Sequence, residues 1–311
     1  MMNTTINKDF ILASDDIPSF KKNGFVILRG FLSNFILSHI QKNIDAHMRL
    51  LAESQNGFKR VGYDIFEDDV VIHDLLNNKI FADTLTTLTG RSLFYTQGLG
   101  FQIEKEKHSG FPWHIGTQSF GYHRGDDFGC SMWVPLVTIN PCQQGGGMSY
   151  VPEHIISGQF MYRDIDPAID RMMRETVTQD HNTLDFNEYL ELRHGVLNSP
   201  AISKLLECFK CTDAFEPGDV FIFNKNVIHA SEPLLEGEIS TRTAFVMRFI
   251  DIDSRYDKVR SEGLDFPENY FGHPPSSDFH RRVGEEDGML IRDSKIFPSK
   301  ATRTLIKRNN K

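Results

Sequence analysis

Three groups of residues have types and spacings that could act together. In Phe111-Pro112-Trp113-His114-Ile115-Gly116-Thr117 a histidine stands two residues before a glycine. Read as a strand, this segment puts His114 and Gly116 on one face and Trp113 and Ile115 on the other. A second histidine, His229, follows the turn-and-strand pattern from Phe215 to Phe223. A His, an acidic residue two positions on and a distant His form the facial triad of non-haem iron sites. Here His114 and His229 supply the histidines, and Gly116 stands where the carboxylate would be. The third group is Thr241-Arg242-Thr243-Ala244-Phe245-Val246-Met247-Arg248, in which Arg242, Ala244, Val246 and Arg248 share a face. If that face points into a barrel, two guanidinium groups enter an apolar cavity, at high cost unless anions meet them. A dicarboxylate such as 2-oxoglutarate meets that need, with Arg242 holding its distal carboxylate in a bidentate fork.

These residues need a scaffold with an inside. Residues 17–32 read as a short helix, a turn at Asn23-Gly24 and a strand. Apolar residues at helical spacing (Phe35, Ile36, Ile40, Ile44, Met48, Leu51) predict an amphipathic helix from about Asn34 to Ser54, and a second covers Lys79 to Thr89. Beyond Arg91 the period changes. Leu93–Tyr95, Leu99–Glu106, Cys130–Ile139, Met148–Val151, Asp219–Phe223 and Thr241–Asp251 read as strands separated by Gly, Pro and Asn turns. Between them, about 155–215, lies a charged stretch without strand signal, expected to be a helical or irregular lid. The order predicts one domain over 1–311: mainly β with flanking helices, a double-stranded β-helix (a cupin-like jelly roll). From about 254 to 311 the chain reads as loop-like, ending in a basic tail with Lys300, Arg303, Lys307, Arg308 and Lys311.

Composition narrows the partners. The chain has 311 residues, 40% hydrophobic, with 25 phenylalanines, enough to fill a core without disulfides. A formal charge of -8 argues against nucleic acid, whose phosphates require a basic footprint. No apolar run approaches the roughly 20 residues that span a bilayer. The N-terminus is polar, and the four cysteines are too few for a disulfide framework, so a reduced, cytoplasmic setting is expected. Cys208 and Cys211 read as ordinary thiols, because no further zinc ligands stand nearby.

Taken in order, several segments resemble the phytanoyl-CoA dioxygenase superfamily of iron/2-oxoglutarate enzymes. They are Lys22-Asn23-Gly24-Phe25-Val26-Ile27-Leu28, the His114 segment, Met132-Trp133-Val134-Pro135-Leu136, Gly145-Gly146-Gly147-Met148-Ser149-Tyr150-Val151-Pro152-Glu153-His154, Pro217-Gly218-Asp219 leading to His229, and Arg242. They span roughly 18–250. The departure at Gly116 resembles the halogenating branch, and in particular the halogenase domains of polyketide assembly lines of the curacin and jamaicamide type. That resemblance implies Fe(II), 2-oxoglutarate, O2 and chloride as the reacting set. It further implies an acyl carrier protein as partner, carrying a 3-hydroxy-3-methylglutaryl group. Losing the carboxylate opens a coordination position and removes a negative charge, and a chloride fits both. Otherwise Gly116 serves a close backbone approach, in a water-liganded hydroxylase of the same superfamily or in a silent binding domain.

Other positions carry open readings. Arg248 either orders a water on the halide side or contacts a substrate carboxylate. Trp133 is a core aromatic or a wall of the cosubstrate pocket. Gln102, between Phe101 and Ile103, is expected to turn inward as a polar contact to the cosubstrate. Tyr95 and Phe120 are substrate-side residues or ordinary packing. Asp126 and Asp127 read as loop residues, and His108, His123, His154, His181 and His194 as ordinary histidines.

Overall fold

The first helix shows how local chemistry directs the chain. α1 (Asp16–Asn23) ends on Gly24, at φ 79°, whose N–H bonds the carbonyl of Phe20; this left-handed closure suits glycine and turns the chain into β1 (Phe25–Leu28). The structure, a computed structural model, describes residues 5–53, 57–66, 69–178, 185–273, 279–295 and 305–306. α2 (Asn34–Arg49), capped by the Ser33 hydroxyl, buries Ile36, Leu37, Ile40, Ile44 and Met48, and stops five residues before the expected Ser54. β2 (Arg60–Gly62), α3 (Val70–Leu76) and α4 (Lys79–Thr89) follow, α4 held between the caps Asn78 and Gly90.

Two antiparallel sheets form the centre. In the larger, β3 (Leu93–Glu104), β4 (Gly129–Pro135), β7 (Val220–Asn224), β9 (Thr241–Asp251) and β10 (Leu305–Ile306) join in the order β1-β7-β4-β9-β3-β10, with β2 beside β3. In the smaller, β5 (Met148–Tyr150) lies between β6 (Cys211–Thr212) and β8 (His229–Ser231). The period-two pattern sorts side chains to two sides of the larger sheet. Met132, Val134, Val220, Ile222, Phe245, Met247 and Phe249 face α1–α4, whereas Leu99, Phe101, Ile103, Trp133, Phe221, Phe223, Ala244 and Val246 face the smaller sheet. Tyr150 stacks on Phe221 at 4.4 Å across the gap. A helix-flanked antiparallel core is therefore in place.

One irregularity has a large effect on placement. Leu93–Tyr95 and Leu99–Glu104 are one strand, because Tyr95 pairs with Phe249 and Gln97 with Arg248, leaving Thr96 as an extra residue. Such a bulge shifts the alternation by one.

The stretch expected to be a lid contains a π-helical turn (Met161–Ile165), α6 (Asp166–Thr178), α7 (Phe186–Asn198) and α8 (Pro200–Phe209), after α5 (Thr117–Phe120). Two expectations are corrected. Residues 111–117 form no strand; they make one bridge, at His114, and run into α5. The segment after 254 is not loop-like throughout, since α9 (Lys258–Gly263), α10 (Phe266–Phe271) and α11 (Phe279–Arg282) fold there. The basic tail residues Lys300, Arg303, Lys307, Arg308 and Lys311, like His181, lie outside the described residues. No described helix is long and apolar enough to cross a membrane.

Candidate metal and cosubstrate site

His114 and His229 meet through their backbones and their rings. Each donates its N–H to the other's carbonyl, at 2.9 and 3.0 Å, and the ring centroids are 4.2 Å apart. Each imidazole donates its Nδ1–H to a carbonyl two residues before it: His114 to Pro112 at 2.8 Å, His229 to Val227 at 2.8 Å. A carbonyl can only accept, so the proton sits on Nδ1 and Nε2 carries the lone pair in both rings. His229 is pushed down to about 4, by burial first and then by the Arg248 charge, with the Val227 carbonyl opposing. A neutral ring at physiological pH is the form that binds a metal. Among the described residues, no third His, Cys, Asp or Glu joins the pair. Asp127 is occupied elsewhere, accepting from the Arg255 N–H at 2.6 Å. The donor set thus fits a divalent iron held by two imidazoles, with the remaining positions left to exogenous ligands.

Gly116 does not share a strand face with His114; at φ −74° it caps α5. Its conformation is open to any residue, so space decides its identity. A Cβ there would lie 3.0 Å from Phe120 Cδ2, 3.3 Å from Phe120 Cε2 and 3.5 Å from the Tyr162 hydroxyl. Phe120, fully buried, is thereby placed beside Gly116, and the Arg248 guanidinium lies 5.4 Å from its ring.

Arg242 crosses the interior from β9 and donates Nε–H to the Gly146 carbonyl, next to β5, at 2.7 Å. It is 2% exposed, its guanidinium lies 5.9 Å from the Trp133 ring, and burial lowers it to about 10, so it stays charged. No described carboxylate pairs with it. A buried cation whose Nη atoms meet no anion among the described residues fits the distal carboxylate of a cosubstrate. Trp133, packed edge-on against Phe215 at 5.2 Å, is both a core aromatic and the wall beside that guanidinium.

Arg248 faces the same interior, donating to Ser131 Oγ at 3.0 Å while its buried Nε has no partner. It too is lowered, to about 10, by burial. Behind Phe120 lies a group that the sequence reading missed. Lys225 Nζ and the Arg260 guanidinium lie 4.9 and 5.5 Å from the Tyr162 ring, and the Tyr162 hydroxyl is buried without a partner. These residues come from the π-helical turn, the end of β7 and α9, which no linear motif links.

Two expected site residues lie elsewhere. Gln102 pairs with Thr243 in register and donates to its Oγ1 at 3.2 Å on the side facing α2, because the interior takes Phe101 and Ile103. Tyr95, before the bulge, packs among the helix-facing residues, 5.9 Å from Phe249. The inward amide is Gln97, opposite Arg248, donating to Asp64 Oδ1 at 3.0 Å. Only the extra residue at Thr96 reveals this, and no composition signal marks it.

No protein-family model matches the sequence, and no curated protein matches it. Solved structures do. The non-heme alpha ketoglutarate dependent carbocyclase SnoK from nogalamycin biosynthesis matches with TM-score 0.55 and 15% identity, over 89% of this chain and 93% of its own. The epimerase SnoN, in complex with Fe3+, alpha ketoglutarate and nogalamycin RO, gives 0.56 and 16%, over 94% and 97%. EctD from S. alaskensis, with 2-oxoglutarate and 5-hydroxyectoine, gives 0.55 and 17%, over 92% and 88%. At these identities the likeness establishes the fold, which is the one that these non-heme iron, 2-oxoglutarate-binding proteins use.

Proposed function

We propose that the chain is an Fe(II)- and 2-oxoglutarate-dependent halogenase that chlorinates an unactivated carbon of an acyl group tethered to an acyl carrier protein. The observation that carries the iron and cosubstrate assignment is the facing His114–His229 pair together with a buried Arg242 that meets no anion among the described residues. Iron, 2-oxoglutarate and O2 together supply an oxidant able to break an unactivated C–H bond, with succinate and CO2 as coproducts.

Each protein group has a part. His114 and His229 hold the metal as neutral imidazoles. Arg242 orients the dicarboxylate by its distal end, and Trp133 closes that end against water. Gly116 withholds the carboxylate, leaving its charge and place to chloride. The Phe120 ring edge beside it carries the positive rim of the aromatic quadrupole, which suits a halide better than a carbanionic or electron-rich neighbour would. Arg248, with an unpartnered Nε, contacts a carboxylate of the acyl group or a water beside the halide. A 3-hydroxy-3-methylglutaryl group, with its free carboxylate, is the substrate proposed, and it is the resemblance that supports this choice. A hydroxylase is the second reading, favoured by the closeness of Phe120 to Gly116, which leaves a water the easier fit.

The test is anaerobic loading with Fe(II), 2-oxoglutarate and chloride, then O2, followed by mass spectrometry of the carrier protein. A chlorine isotope pattern supports halogenation; a gain of one oxygen supports the second reading; no succinate with any acyl group rejects both. Gly116→Asp is expected to abolish chlorination, since its side chain takes the halide place and presses on Phe120. Chlorination retained in that variant rejects the ligand assignment.

A further inference from the structure

Trp113, immediately before the ligand His114, is held by the helical insertion at three points. Its N–H donates to Asn198 Oδ1 at 3.1 Å, and its carbonyl accepts from Asn198 Nδ2 at 2.8 Å. Its indole N–H donates to Glu207 Oε1 at 3.1 Å. Asn198 is the last residue of α7, and Glu207 lies in α8, where Lys210 Nζ also pairs with it at 2.9 Å.

Both backbone groups of Trp113 go to Asn198 and both of His114 go to His229, the pairing that successive residues of a strand show. Residues 113 and 114 are therefore bonded on both edges. His114 exchanges backbone bonds with His229 on one side, and Trp113 exchanges two with a single primary amide on the other. Asn198 acts as a one-residue strand where no strand exists, because 111–117 makes only the single bridge at His114. Glu207 holds the indole, 5% exposed, in the helical layer, while the imidazole of the next residue lies against the His229 ring, with 4.2 Å between centroids.

We propose that Asn198, assisted by Glu207, is a positioning residue for the metal: it sets the register and rotation of the His114 segment, so that the insertion helps determine iron affinity. This rests on reading the histidine pair as the iron site. Groups that orient a metal ligand commonly change affinity by about 10–100-fold when removed.

The test uses the full chain. Asn198→Ala is expected to raise the Fe(II) dissociation constant, measured anaerobically by calorimetry, by about 10–100-fold. In the metal-free protein it should also speed hydrogen exchange at the Trp113 and His114 amides. Glu207→Gln keeps an acceptor for the indole and should match the parent, whereas Glu207→Leu should weaken iron binding less than Asn198→Ala does. Should Asn198→Ala fail to fold by circular dichroism, Asn198→Asp is measured in the same way. It keeps the acceptor, loses the donor and sets a carboxylate against the Trp113 carbonyl. Parent-like iron affinity and exchange in the folded variant overturn the proposal. If the parent itself binds no Fe(II), the iron reading fails. Exchange at Trp113 and His114 then decides separately whether the clamp orders the segment.

Discussion

Arg242 and Arg248 stand six residues apart on one face of β9, and the two ends of that strand are built differently. At the Arg242 end, the described groups around the guanidinium are neutral: the Gly146 carbonyl, the Trp133 ring and apolar residues between the sheets. At the Arg248 end, charges crowd in from the insertion and from α9. Arg260 approaches Asp166 at 3.7 Å, Arg193 pairs with Asp170 at 3.0 Å, and Lys225, just past β7, is 4% exposed with no described carboxylate within ion-pair distance. A lone cation in neutral walls suits one small, constant dianion. A cluster of several cations and acids drawn from many elements suits a variable substrate group, which each element can tune. Under the proposed function, one strand then carries a fixed cosubstrate end and an adjustable substrate end.

The largest expected effect tests that division directly. Arg242→Met should weaken 2-oxoglutarate binding by about 100-fold or more, the loss expected when one partner of a buried charge pair is truncated. Arg248→Met should leave cosubstrate affinity near that of the parent and raise the KM for the acyl substrate instead. Equal loss of cosubstrate affinity in both variants, by calorimetry, erases the distinction.

The second effect is on stability and pH. Burial first, and then Arg260, lowers Lys225 from an ordinary 10.5 to about 7, with Asp127 and Asp126 opposing. Between about pH 7 and 10.5 the unfolded chain holds a proton that the folded chain releases. Stability therefore rises with pH through that window, and the cost is complete below it. Lys225→Met should stabilise the protein at pH 7 by about 2–4 kcal/mol, after allowance for the lost bond to the Arg124 carbonyl, and the gain should vanish toward pH 10. Urea midpoints across that range measure it; a gain independent of pH would locate the cost elsewhere.

The smallest effect separates two amides. Gln97→Leu should raise the acyl-substrate KM by about tenfold or less, as for one lost polar contact. Gln102→Leu should leave kinetics unchanged and cost about 1 kcal/mol of stability through the abandoned Thr243 hydroxyl. The reverse pattern would return Gln102 to the cavity.

The placement of several residues was legible because it depends on residue type and a short local register. Arg242 and Arg248 announced a common face by simple alternation, and β9 is regular from Thr241 to Asp251. His229 stood just beyond a strand whose apolar run was plain. The nearness of His114 to His229 was readable but the shape of its segment was not, since its partners on one edge are side chains of Asn198 and Glu207, more than 80 residues later. Tyr162, Lys225 and Arg260 were invisible for the same reason: their association is made by tertiary packing and carries no periodicity. Gln102 and Tyr95 were misplaced by a more local cause, one uncounted residue.

That extra residue, Thr96, also predicts how β3 tolerates mutation. Before it, Phe94 belongs with the interior residues and Leu93 and Tyr95 with the helix-facing ones; after it, Leu99, Phe101 and Ile103 take the interior. A saturation library along the strand should therefore show two-residue rhythms of opposite phase on either side of Thr96. Selection for catalysis would act on odd positions in one half and even positions in the other, and deleting Thr96 would bring the two halves into step, to the ruin of one of them.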